Sequence, residues 1–129
     1  MKTKILTLFL AALLLLVMLF SSACSGSDIE IKLAPIHEVE VAMMESYPVQ
    51  VSVYIQMGLS DGCTTFHDIE VTRDGNTVNL KVTVQRPKDA VCTAVYAFHE
   101  EYINLGSDFT SGTTYNLNVN DFKTTFTYP

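Results

Sequence analysis

The sequence predicts an all-β protein: an antiparallel β-sandwich of about seven or eight short strands, immunoglobulin-like in kind, with a small barrel as the alternative. Three observations carry that prediction. Apolar and polar residues alternate with period two over most of the chain after residue 28, and no convincing 3.6-residue stripe appears there. Turn dipeptides punctuate the alternating runs, Asp74-Gly75 most clearly and Asn120-Asp121 less so. The stretch available is only about 100 residues, enough for one domain. There is no tryptophan to serve as the core marker of antibody domains.

The N-terminal element reads as a signal peptide over residues 1–23. Lys2 and Lys4 are its positive end, and Ile5 to Phe20 is an apolar run without a charge. That run falls short of the roughly 20 residues needed to cross a bilayer, so cleavage is preferred over an uncleaved anchor. Ser21, Ser22 and Ala23 place the cut before Cys24. A lipobox prefers a Leu-like residue where this chain has Ser21. Ordinary signal peptidase, which wants small residues at −3 and −1, would cut the same bond.

Cysteine arithmetic favours lipidation. Of Cys24, Cys63 and Cys92, two can pair in an exported protein, and acylation of Cys24 accounts for the third. Residues 24–35 are then lipid anchor and flexible tether, and residues 36–129 the sandwich. The expected setting is the bacterial cell envelope, with the membrane reached through lipid at roughly 0.8 kcal/mol per buried CH₂.

The strands follow in order. Ile29 to Leu33 suits an edge strand before Pro35, and Val39 and Val41 alternate with Glu38 and Glu40. Val49 to Met57 alternates strictly, Ile69 and Val71 mark the next strand, and Val78 to Val84 its hairpin partner. Val91 to Phe98 is apolar on both parities, as a central strand covered on both faces would be. Tyr102 to Leu105 is a short piece, and Tyr115 to Val119 and Phe122 to Phe126 complete the set. Cys63 and Cys92 fall at the open end of the Asp74-Gly75 hairpin. That position favours a structural disulfide over a redox couple, for which C-x-x-C spacing is absent.

Without Lys2 and Lys4, six basic residues face 14 acidic ones, which excludes nucleic acid as a natural partner. His37, His67 and His99 each adjoin a carboxylate, but strand neighbours point to opposite faces and no metal-ligand spacing is present, so no metal or other cofactor is expected. Met43, Met44 and Met57 suit core packing. Ser60, Ser107 and Ser111 lack a nucleophile elbow, and a non-catalytic protein is expected. The segment F-H-E-E-Y, Phe98, His99, Glu100, Glu101 and Tyr102, reads as a corner between two strands. It is a candidate protein-binding surface with aromatic anchors and an acidic rim. The plainer reading, a solvated corner whose aromatics reach back into the core, is favoured.

The stretch G-L-S-D-G-C-T-T-F-H-D from Gly58, the hairpin V-T-R-D-G-N-T, the corner R-P-K-D-A-V-C-T, the later F-H-E-E and the strand T-Y-N-L-N-V-N resemble a family of small exported bacterial proteins. The resemblance covers about Gly58 to Phe126. It implies a sandwich with a Cys63–Cys92 disulfide and no catalytic residue. Chagasin-type protease inhibitors are similar only at the level of a small exported sandwich, since their N-P-T-T-G loop is missing. The expectation is an envelope lipoprotein whose domain binds protein or supports an assembly. A protease inhibitor and a metal-binding envelope protein are the alternatives.

Overall fold

The computed structural model describes Met1, Gly26 and residues 28–129; the expected signal segment and Cys24 lie outside the described residues. No helix among the described residues is long and apolar enough to cross a membrane. Eight strands run β1 (Ile29–Leu33), β2 (Ile36–Met44), β3 (Gln50–Leu59), β4 (Thr65–Asp74), β5 (Thr77–Pro87), β6 (Ala97–Gly106), β7 (Thr114–Val119) and β8 (Phe122–Thr127). They form a five-stranded sheet built around β5 and a three-stranded sheet in the order β2-β3-β6.

Period-two alternation does the sorting. On β3, Val51, Val53, Ile55 and Met57 are fully buried, while Ser52, Tyr54 and Gln56 face outward. On β5, Val78, Leu80, Val82 and Val84 meet them from the other sheet, joined by Tyr115, Leu117 and Val119 of β7. Phe109 closes one end against Tyr115, Phe126 and Tyr128, and the Arg73 guanidinium lies 4.5 Å over its ring. Arg73 also donates to the carbonyls of Leu105 (2.6 Å) and Asp108 (2.9 Å), tying β4 to the end of β6 in the opposite sheet.

Four expectations need correction. The sandwich is not wholly antiparallel: Thr77–Leu80 of β5 and Asn116–Val119 of β7 run parallel, because β6 in the other sheet comes between them along the chain. The body begins at β1, within the segment assigned to the tether, since Ile29–Leu33 pairs with Pro87–Thr83 of β5. The hairpin loop is Gly75-Asn76, one place later than Asp74-Gly75, with Gly75 at φ 55°. Val91 to Tyr96 is no central strand, and Val91 is wholly exposed. The disulfide at Cys92 and a bond from Gly62 N to Thr93 O (2.9 Å) hold that segment against the loop before β4, so its backbone never reaches a sheet.

One edge of β5 is shared by two strands, β7 along its first half and β1 along its second. Asn120, at φ 52° in the β7–β8 turn, fills the gap between them. Its Oδ1 accepts from Val82 N (2.9 Å), and its Nδ2 donates to Val82 O (2.9 Å) and Ala34 O (2.8 Å). Its own N–H donates to Leu80 O (3.0 Å). A carboxamide here replaces the peptide group that a continuous strand would have supplied, and asparagine tolerates the left-handed backbone better than most residues. Asn120→Ala strands Val82 N and Ala34 O, while Val82 O keeps its bond from Ala34 N, and should lower the unfolding free energy by about 2–3 kcal/mol. Asn120→Gly, which relieves only the backbone, should rescue little of that loss in urea titrations.

Candidate functional site

The outer face of the β2-β3-β6 sheet carries the densest chemistry of the described surface. Register sets side chains in rows across it: Glu38, Gln56 and Glu100 in one, Glu40, Tyr54 and Tyr102 in the next, Ala42, Ser52 and Asn104 after that. A register shift between Ile36 and Glu38 leaves His37 as an extra residue, so that it too lies on the outer face. There His37 Nε2 sits 2.6 Å from the Tyr96 hydroxyl, and its ring meets Phe98 edge-on at 5.1 Å. These rings pass over Gly58, where a Cβ would fall on the Tyr96 hydroxyl. The missing side chain makes room for Tyr96 and His37 to pack close over the strand, with the His37, Tyr96 and Phe98 rings meeting edge to face.

The face is aromatic and negative at once. Phe98 is 58% and Tyr102 72% exposed, and Tyr54 stacks obliquely on Tyr102 at 5.1 Å. Gln56 Nε2 reaches Glu100 Oε1 at 3.5 Å. Partial burial, and then the neighbouring carboxylates of Glu100 and Glu38, hold the Tyr54 phenol above its ordinary range. Strands β2, β3 and β6 contain Glu38, Glu40, Glu100 and Glu101 and no lysine or arginine. Lys32, Arg73, Lys81, Arg86 and Lys123 all lie in the other sheet, and Lys88 directly follows β5.

The segment Phe98–Tyr102 is therefore not a corner. It lies within β6, and strand alternation divides it. Phe98, Glu100 and Tyr102 point out, with the two aromatics in solvent rather than in the core. His99 and Glu101 point in, paired at 2.7 Å, with His99 stacked on Phe66 of β4 at 5.3 Å. Tyr54, Gln56, His37, Glu38, Glu40 and Tyr96 were not assigned to a binding surface from the sequence. The alternation of β3 marked Tyr54 and Gln56 as outward, but nothing local showed that β6 would lie beside them.

Cys63 and Cys92 are disulfide-bonded, with Cα atoms 5.5 Å apart, at the open end of the β4–β5 hairpin. Asp61 buttresses them. Its Oδ1 accepts from Cys63 N (3.0 Å), Thr64 N (2.9 Å) and Thr64 Oγ1 (2.8 Å). Arg86 Nε lies 3.1 Å from its other oxygen, though too far off axis to count as a hydrogen bond. The Thr64 hydroxyl first, then the Cys63 amide and Arg86, outweigh desolvation and hold the Asp61 carboxyl below its ordinary value of 3.8. Asp61, Cys63 and Cys92 also form the one group of three potential metal donors within 4.8 Å among the described residues, but the disulfide consumes both sulfurs. His67 and Asp68 do not lie on opposite faces as strand parity suggested. A register shift between Phe66 and Asp68 makes His67 the extra residue, and its Nδ1 lies 3.0 Å from Thr83 Oγ1.

Residues 53–128, from within β3 to the C-terminal end, match the ORF11 beta-sandwich domain family. The chain is similar to the uncharacterized 10.2 kDa protein in the HgiCIIM 5' region of Herpetosiphon aurantiacus, with 41% identity over 86 residues that make up 67% of this chain and 90% of that protein. A 10.2 kDa protein in the HgiBIM 5' region of the same organism is also 41% identical over 76 residues, 59% of this chain and 92% of the relative. No solved structure matches.

Two outcomes follow from the disulfide corner. Replacing both Cys63 and Cys92 by alanine opens a covalent loop of sequence separation 29. It should lower stability by about 3–4 kcal/mol in guanidinium titrations. For Asp61 the sign is fixed by a folded pKa below the unfolded one: its contribution is complete above the ordinary value and is lost as pH falls through the folded value. The stability curves of wild type and Asp61→Asn should therefore stand apart at neutral pH and converge in acid.

Proposed function

The chain belongs to the ORF11 beta-sandwich domain family, and on that premise we propose that it is a non-catalytic, protein-binding lipoprotein of the bacterial cell envelope. The lipid is carried by Cys24. The contact surface is the outer face of β2-β3-β6, and the partner presents lysine or arginine side chains to it. The observation carrying this reading is the coincidence of exposed aromatics, Phe98 and Tyr102, with Glu38, Glu40 and Glu100 on strands free of Lys and Arg. Exposed tyrosines and a phenylalanine supply contact area of the kind enriched at interfaces. Carboxylates beside aromatic rings favour cationic groups twice over, by charge and by the ring quadrupole. The Cys63–Cys92 bond suits an oxidising compartment, which supports export. Cys24, left without an internal thiol partner by that bond, supports the lipid anchor.

A photo-crosslinking side chain placed at Tyr102 in intact envelopes should trap a discrete protein. The same probe at Thr125, on the opposite sheet, should not. Glu38→Lys with Glu100→Lys should abolish the adduct while leaving the thermal unfolding curve near that of wild type. Equal trapping from both positions, or trapping indifferent to the charge reversals, would refute the proposed surface. Separately, Cys24→Ser should release the protein from the membrane fraction and remove acyl-chain mass from the mature chain.

A further inference from the structure

The free edge of β1 carries a second interaction surface, independent of the acidic face. Lys88 N donates to Asp28 O (2.9 Å) and Ala34 N to Val82 O (2.9 Å), flanking the register pairs Glu30 with Arg86 and Lys32 with Val84. Even-numbered residues thus turn their backbone groups toward β5. Because these groups alternate along a strand, the N–H and C=O of Ile29, Ile31 and Leu33 point off the edge of the sheet. No strand among the described residues pairs with them. Their side chains, opposite Pro87, Gln85 and Thr83, form an apolar stripe on the outer sheet face, 48%, 51% and 58% exposed.

The sequence of β1, I-E-I-K-L, complements itself. Laid antiparallel on a copy about Ile31, it pairs Ile31 with Ile31, Ile29 with Leu33 and Glu30 with Lys32 in both directions. Slipping by two residues either way places Glu30 against Glu30 or Lys32 against Lys32. Slipping by one sends the apolar stripes to opposite faces. A lysine on an edge strand ordinarily blocks pairing, and Lys32 blocks the wrong registers here. In the isolated chain Lys32 Nζ is held 3.1 Å from Glu30, so the in-strand ion pair is exchanged for two crossed ones.

We propose that the occupant of this edge is a second copy of the chain, paired through β1 about a two-fold axis at Ile31. The two five-stranded sheets then run on as one. The edge lies in the sheet that holds the basic residues, so two acidic molecules approach there with less repulsion than at β2-β3-β6.

The test uses the full chain in native membranes. Residue 31 would face its own copy with Cα atoms about 5.5 Å apart, within disulfide range. Ile31→Cys should give a covalent dimer on mild oxidation, and Thr125→Cys on the same sheet should not. Adding Glu30→Lys or Lys32→Glu alone places like charges opposite one another and should cut the yield by roughly tenfold. The double exchange, Glu30→Lys with Lys32→Glu, should restore it. A thermal unfolding transition near that of wild type reports folding in every variant. Equal dimer from positions 31 and 125, no dimer at 31, or single reversals that change nothing would overturn the proposal, as would a double exchange that fails to restore.

Discussion

Along one edge β5 must satisfy two strands that arrive from opposite ends of the chain, and the Asn120 carboxamide makes that possible. A peptide bond carries one donor and one acceptor. This amide likewise donates through Nδ2 and accepts through Oδ1, and it therefore passes for a missing strand residue between the end of β7 and the end of β1. An unpaired backbone group at Val82, buried against the core, would otherwise cost about 1–3 kcal/mol. By bonding Ala34 as well, Asn120 fixes where β1 stops, and the chain then turns at Pro35 to begin β2 in the other sheet. The placement of β2 beside β3, and with it His37, Glu38 and Glu40, depends on that crossing.

The two sheets share a core and differ in electrostatic character. Every lysine and arginine among the described residues belongs to the five-stranded sheet or the loop leaving β5, whereas the three-stranded sheet is charged by glutamates alone. Solubility requires no such segregation, since interspersed signs serve it equally well. At Tyr54, partial burial first and then the carboxylates of Glu100 and Glu38 hold the phenol above its ordinary range. Inside the sandwich, the same strand that offers Phe98 and Tyr102 outward turns His99 and Glu101 inward as a half-buried pair. An inward-pointing carboxylate such as that of Glu101 is a means of discouraging unwanted pairing at an edge strand.

Where burial follows parity, the fold was legible from residue order. Val51 to Met57, Val78 to Val84 and Tyr115 to Val119 alternate strictly, and each occupies the face that alternation assigns. The cysteine pair was also legible, because count and hairpin position agree. The parallel pairing of β5 with β7 was not, since period two is the same for either direction. Val91 to Tyr96 misled because apolar residues there are held across the sandwich mouth by a covalent bond and not buried in a sheet. Bulges at His37 and His67 reverse the parity argument locally, and no turn residue announces them. Of the candidate surface, the β6 residues were visible one by one in F-H-E-E-Y, but the face is made by lateral register across β2, β3 and β6. Only the folded sheet sets Glu38, Gln56 and Glu100 in a line.

The covalent bond at the base of the β4–β5 hairpin has a consequence for how the molecule ages in a protease-rich setting. The Gly75-Asn76 loop is exposed, and a cut there would separate a piece holding Cys63 from a piece holding Cys92. The two would stay joined and, with the ladder between their strands intact, could keep their places. Damaged and whole molecules would then migrate alike on a gel until a reductant was added.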